Sequence, residues 1–265
     1  VIPGSAAEAG LGAEAGLRGE AGLRGEIAEA ANVLAGLGLV TAFGHVSARW
    51  RQSMLITPAA DLGCVTAADV IEVPLAAAGE ALPGGALGGT LPGGALGGTL
   101  PGGAPAEAWA HLALYRARPD TDAIARAQPA SAFAAAAAVT ALVPLHGQAA
   151  WLGESVPVHD DATLLRSPDL AERAARCLPA GEALLLRGNG ALTLGASPGL
   201  AVARMWLLAA ACEVYLAARA AGPVTPLSAA EVASWRAVGG ELLPRLWQHL
   251  RRRPSRRPAP GKEQG

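Results

Sequence analysis

Aromatic side chains are scarce in this sequence: Phe, Trp and Tyr together make up 4% of its 265 residues. Single-strand binding platforms stack bases on aromatic rings, and this chain has little with which to build one. Charge is scarce as well, at 16%, and the two signs nearly cancel to a net of −1. No global field therefore draws the chain to nucleic acid or to a membrane surface. The three cysteines, Cys64, Cys177 and Cys212, are far apart, odd in number and form no Cys-x-x-Cys pair. That spacing argues against a disulfide framework and fits small core residues in a reducing cytoplasm. The N-terminus lacks a basic segment followed by an unbroken apolar run, so no signal peptide is expected. The longest apolar stretches are broken by Gly, Pro, Arg or Glu, and none is expected to reach the length of a membrane span.

Apolar residues, by contrast, make up 51% of the chain, a globular composition with enough material for a real core. Two segments are repetitive. AGLGAE-AGLRGE-AGLRGE fills residues 9–26, and LPGGALGGT occurs twice, at 82–90 and 91–99. A six-residue period matches neither helix nor strand, and Pro-Gly-Gly steps forbid helix. Both repeats are too short for solenoid units. The expected organisation is a flexible repetitive arm over 1–22, a domain over 23–225 with a Gly/Pro loop insertion at 79–104, and a region 226–265 holding a C-terminal helix and a basic disordered tail.

Within the domain, periodicity predicts a helix over Glu26–Leu37 that stops at Gly36 and Gly38, and a hairpin from Phe43–Trp50 and Met54–Pro58. A short helix at 67–70 capped by Thr66 precedes a strand at 71–75. Helices follow at Glu107–Arg118, at Ser131–Val139 capped by Ser131, from about Ser167 to Leu178, and over Pro198–Ala221. Strands are expected at 123–127, 142–145 and 156–159, and as a pair at 183–187 and 191–194 around an Arg187-Gly188-Asn189-Gly190 turn. This order predicts an α/β sandwich with a central, mostly antiparallel sheet and helices on both faces.

Four stretches in sequence carry a family resemblance: LGLVTAFGHVSARW with MLITPAADLGCVTAADVIEV, EAWAHLALYRARPDTDAI, VPLHGQAAWLGESVPV, and LLLRGNGALTLGASPGLAVARMWLLAAACEVYLAA. Together they span about residues 26–222, and in order, spacing and character they resemble the class II aldolase/adducin family. That family includes sugar-phosphate aldolases such as L-fuculose-phosphate aldolase, a pentulose-phosphate epimerase, some decarboxylases and the non-catalytic head of adducin. The resemblance implies the sandwich fold, a small-molecule substrate and a homotetramer with active sites between subunits.

The family's enzymes hold a divalent metal, often zinc, on three histidines. Imidazoles at about 2.0–2.1 Å suit zinc and leave a position open for substrate, and the metal stabilises the enolate left when a C–C bond breaks. Here the His-x-His positions fall on Arg126 and Gln128, and the His-Gly position falls on Asn189. The stretch RARPDTDAIARAQPAS around them contains no histidine or cysteine and only the carboxylates Asp120 and Asp122. A guanidinium cannot ligate a metal, so the family's metal site is expected to be lost and no cofactor is expected. The family's acid/base glutamate falls on Glu107, and a histidine one helical turn later falls on His111. The phosphate cradle is depleted: its turns read Gly44-His45-Val46-Ser47 and Thr57-Pro58-Ala59-Ala60, and Pro105-Ala106 replaces a hydroxyl pair. His45, Ser47, Arg49 and Thr57 remain as candidates for gripping another anion, such as a carboxylate. His159-Asp160-Asp161 stands near where some aldolases present a tyrosine, and Tyr115 and Tyr215 read as packed helix residues.

Three functions fit these residues. In the first, a metal-free carbon–carbon lyase, Arg126 replaces the cation, Gln128 and Asn189 donate to an oxyanion, and Glu107 moves the proton; each preorganised donor is worth about 3–4 kcal/mol. In the second, the chain is a binding or scaffold protein like the adducin head. In the third, a metalloenzyme has relocated its ligands to His45, His111 and His159. None of the three calls for nucleic acid or membrane as a partner.

Overall fold

Alternation along the strands decides the architecture. In the computed structural model, which describes residues 19–78 and 99–252, β4 (Ala123–Ala127) sends Ala123, Ala125 and Ala127 into one apolar cluster and Ile124 into another. β1 (His45–Trp50) does the same, with Val46 and Ala48 on the first face and His45, Ser47 and Arg49, at alternate positions, on the second. The other strands are β2 (Ser53–Ile56), β3 (Ile71–Pro74), β5 (Ala141–Leu142), β6 (Val156–His159), β7 (Ala183–Leu186) and β8 (Gly190–Gly195). They join in the order β3-β2-β1-β4-β8-β7-β6-β5. Every neighbouring pair is antiparallel except β6–β7. The expected mostly antiparallel sheet is thus present.

Helices cover both faces, as the three-layer sandwich requires. On the first lie α1 (Glu20–Gly36), α3 (Ala130–Ala138), α5 (Pro198–Ala221) and α7 (Gly239–Leu250), and on the second lie α2 (Ala108–Ala117) and α4 (Pro168–Arg176). α6 (Ala229–Ala237) packs at the edge, against the segment 147–152. Local chemistry sets the ends. Ser167 and Ser197 cap α4 and α5, each followed by Pro at the first turn, where the missing N–H costs nothing. α6 carries a reciprocal cap between Ser228 and Glu231.

Several expectations change. Residues 20–22 belong to α1 and not to a loose arm, because Glu20 pairs with Arg24 at 2.7 Å and Leu23 packs on the core. The rest of the arm, most of the Gly/Pro insertion and the tail beyond 252 lie outside the described residues. Ser131 does not cap α3. Pro129 holds the N-cap position in extended backbone, with φ −60 and ψ 137, and Ser131 Oγ donates to the Ala209 carbonyl. The strand expected at 142–145 shrinks to Ala141–Leu142, since Pro144 has no N–H for a ladder. The single C-terminal helix is two, meeting at Val238.

The apolar run at α5 also proves longer than expected. By length and composition this 24-residue helix could cross a membrane, with mean hydropathy 1.6 in its most apolar window, but 67% of that window is buried inside the protein. Arg204, which interrupts the run in sequence, is accommodated within the helix by donating to the Leu194 carbonyl and pairing with Glu182.

Candidate active site

Two backbone devices bring the site together. The β7–β8 turn passes through Gly188 at φ +69 and Gly190 at φ +89. A Cβ on Gly190 would lie 2.2 Å from the Ala127 carbonyl, so glycine lets this turn close down on the end of β4 and set Asn189 beside Arg126. On the other side, α2 begins directly after Glu107 and runs over β1 and β4, which presents Glu107 and His111 from above.

Arg126, Glu107 and Asn189 form a closed triangle. Arg126 Nη2 lies 3.0 Å from Glu107 Oε2 and donates to Asn189 Oδ1 at 2.6 Å. Asn189 Nδ2 donates to Glu107 Oε1 at 3.1 Å. All three are buried, with Arg126 at 0% exposure. A charge this deep is tolerable only when paired, and one nitrogen of the guanidinium carries all of this pairing. Among the described residues the guanidinium Nε and Nη1 have no hydrogen-bond partner. Burial pulls the guanidinium pKa down and Glu107 holds it up.

Two imidazoles complete the cluster. His45 is the cross-strand partner of Arg126 on β1, and its ring meets His111 edge-on with centroids 5.8 Å apart. Burial first, then the charges of His111 and Arg126, hold His45 well below the usual imidazole range. Burial and then Arg126 push His111 down to about 3. Both rings are therefore neutral near pH 7. His111 Nδ1 lies 2.8 Å from Ser47 Oγ, which lies 2.8 Å from the Tyr115 hydroxyl. Tyr115 joins this hydrogen-bonded cluster, where sequence reasoning had treated it as packing. The signal was present, because Glu107, His111 and Tyr115 recur every fourth residue and so share one helix face.

The other expected residues are placed less centrally. Gln128 is half-buried beside Gly190, and among the described residues no hydrogen bond ties its amide to the triangle. Thr57 is buried, its Oγ1 accepting from the Val46 N–H at 3.2 Å. Arg49 shares the strand face of His45 but stands four residues away, roughly 13 Å along the strand. There its guanidinium donates to the Tyr115, Arg118 and Thr121 carbonyls and lies 4.8 Å from the Tyr115 ring. It clamps the end of α2 and is not brought to the cluster as the expected anion grip.

The relocated metal set does not assemble. His159, on β6, is four strand spacings from β1, roughly 19 Å, and contacts Cys177 Sγ at 3.5 Å. Among the described residues no group of three or more His, Cys, Asp or Glu is positioned to hold a metal ion. The family's own metal positions do not fit one either: Arg126 is purely a donor, and Gln128 and Asn189 are neutral amides.

The chain as a whole is similar to known proteins. Residues 25–216 match the family model for the class II aldolase and adducin N-terminal domain. The decarboxylase NovR of Streptomyces niveus is 35% identical over 136 residues, 50% of this chain and 50% of that protein. The 4-hydroxy-3-prenylphenylpyruvate oxygenase/4-hydroxy-3-prenylbenzoate synthase of Streptomyces roseochromogenus subsp. oscitans is 35% identical over 120 residues, 45% of this chain and 43% of that protein. The matches thus span about half the length of these two relatives. The fold is that of L-fuculose 1-phosphate aldolase from Glaciozyma antarctica PI12, with a TM-score of 0.66 at 22% identity over 87% of this chain and 89% of the other. With its family match covering most of the three-layer domain, the chain belongs to the class II aldolase and adducin N-terminal domain family.

Proposed function

We propose that this protein is a carbon–carbon lyase acting on a small oxo or hydroxy acid, by aldol cleavage or decarboxylation, without a divalent metal. The observation that carries the reading is the convergence of Glu107, Arg126 and Asn189 on one buried point. Breaking the C–C bond sends an electron pair to the substrate carbonyl and makes an enolate. Arg126 supplies fixed positive charge and N–H donors for that oxygen, held ready in a site of low dielectric. Glu107 takes the hydroxyl proton in an aldol cleavage and hands it to the enolate carbon; in a decarboxylation it relays a solvent proton to that carbon after carbon dioxide leaves. Asn189 orients it by donating to Oε1. The relatives named as a decarboxylase and as a prenylbenzoate synthase support carbon–carbon chemistry on acids. We place the protein in the cytoplasm as a homotetramer, which light scattering would check.

The test is a screen of 3-oxo acids and aldol substrates on protein treated with a strong chelator, with Glu107→Gln alongside. Turnover that survives chelation and is lost in the variant is expected. Turnover that needs stoichiometric metal, or is untouched by Glu107→Gln, would overturn the reading. One observation favours a second reading, a non-catalytic binding protein: Arg126 is fully buried and both Glu107 oxygens are already engaged. Saturable binding of an oxo acid with no turnover is its signature.

A further inference from the structure

Tyr115, Ser47 and His111 form a hydrogen-bonded chain behind the cluster. Ser47 Oγ has one proton and two neighbours, His111 Nδ1 and the Tyr115 hydroxyl, each at 2.8 Å. All three residues are buried. Two arrangements pass a proton along the chain, and a third, in which His111 Nδ1 and Tyr115 both donate to Ser47, strands the serine proton. If His111 carries its proton on Nδ1 and donates to Ser47, then Ser47 donates to Tyr115, and the phenol proton has no acceptor among the contacts that the hydroxyl makes. If instead Tyr115 donates to Ser47 and Ser47 donates to His111 Nδ1, every hydroxyl proton is used. Buried polar groups are rarely left unsatisfied, and the second arrangement leaves fewer orphans. It fixes His111 in the tautomer with its proton on Nε2.

Among the described residues His111 Nε2 is buried and without a partner, as are Nε and Nη1 of Arg126 and Nδ1 of His45. The cluster then holds three unpartnered donor nitrogens, with the unpartnered His45 Nδ1 beside them, around a pair of rings in edge contact. Such a set suits an acceptor-rich ligand, and the least buried members, Gln128 and Glu107, mark the side from which one would enter. We propose that His111 is a neutral hydrogen-bond donor to an anionic carboxylate or enolate oxygen of the substrate, alongside Arg126, and that Ser47 and Tyr115 are positioning residues that lock its Nε2–H tautomer. The proposal rests on the lyase reading for the substrate's identity but not for the tautomer. Because the ring stays neutral, His111 donates without being a base, and Glu107 alone moves the proton.

Nitrogen and carbon NMR of histidine-labelled full-length protein reads the tautomer directly, with or without turnover. The Nε2–H form of His111 is expected from pH 8 to pH 5 in the wild type, with loss of that form in Ser47→Ala and its recovery in Ser47→Thr. Tyr115→Phe keeps the ring and removes only the hydroxyl, so it should weaken the preference even if the serine variant folds poorly. Titration with acetate should move the Nε2–H signal saturably. An Nδ1–H form in the wild type, titration of His111 between pH 5 and pH 8, or an unchanged tautomer in both variants would overturn the lock. An Nε2–H signal that acetate leaves in place would overturn the donor role. If the tautomer and the acetate response hold while no acid is turned over, the lyase reading fails and this one stands.

Discussion

The two faces of β4 are built from the same five residues and do opposite jobs. Toward α5, Ala123, Ala125 and Ala127 are fully buried and carry no polar side-chain atom, so the sheet and the long helix approach closely. Toward α2, Ile124 is followed by Arg126, which brings a charge into a site with 0% exposure and draws Glu107, Asn189, His45 and His111 around it. Small side chains satisfy the first face through volume alone. The second needs partners from α2, β1 and the β7–β8 turn, so it is specified by tertiary placement and is the costlier to disturb.

The largest expected effect breaks the polar face. Glu107→Gln leaves Arg126 buried without its counter-charge and should cost about 3–5 kcal/mol in denaturant unfolding. The same variant should lower turnover by about 10²–10⁴-fold. A loss under 1 kcal/mol would mean that the guanidinium fills a hole and little more. The matching insult to the apolar face is Ala125→Leu, which overpacks it and should cost about 1–3 kcal/mol with KM and substrate range unchanged. A shift in substrate range would show that the two faces are not independent.

Acid separates the faces again, at about 1.4 kcal/mol per pH unit for each proton involved. Above about pH 6.5 His111 is neutral in both folded and unfolded chains. Below that only the unfolded chain takes up the proton, because the folded value is about 3. Stability therefore falls as pH falls through that window, and His45, depressed in the same direction, adds to the slope. Thermal unfolding of His111→Gln from pH 7 to pH 4 should show a flatter acid limb than the wild type. Equal slopes would remove His111 from the acid response. The smallest effect is expected from the Gly/Pro repeats: deleting residues 82–99 should change stability by less than about 1 kcal/mol, since loop-closure entropy varies slowly with length. Global unfolding of that deletion would contradict the reading of the repeats as an insertion.

Periodicity, caps and turn residues were enough to place the sheet, the helices and most of their ends. Ser197-Pro198 and Ser167-Pro168 announce helix starts, and Arg187-Gly188-Asn189-Gly190 announces a tight turn. The ends were missed where a neighbour overrode the local signal, as at Pro129 before α3 and Glu20 at the head of α1. Of the candidate site, Glu107, Arg126, Asn189 and His111 were legible from position in the family pattern. Arg49 stands apart from the cluster, which the sequence did not show because strand alternation gives the face of a residue and not its distance along the strand. Tyr115 was overlooked because a buried hydroxyl and a packed ring look alike in sequence.

The amino-acid sequence by itself determined the layered fold and set Arg126, Gln128 and Asn189 at the positions where the family resemblance implies imidazole ligands, because these depend on local pattern and on residue identity. Only the tertiary structure decided that the arginine turns inward to Glu107 and Asn189, and that Ser47 and Tyr115 stand behind His111. Those pairings join residues dozens of positions apart, and they form because a buried charge or hydroxyl must find its partner wherever the fold brings one within reach.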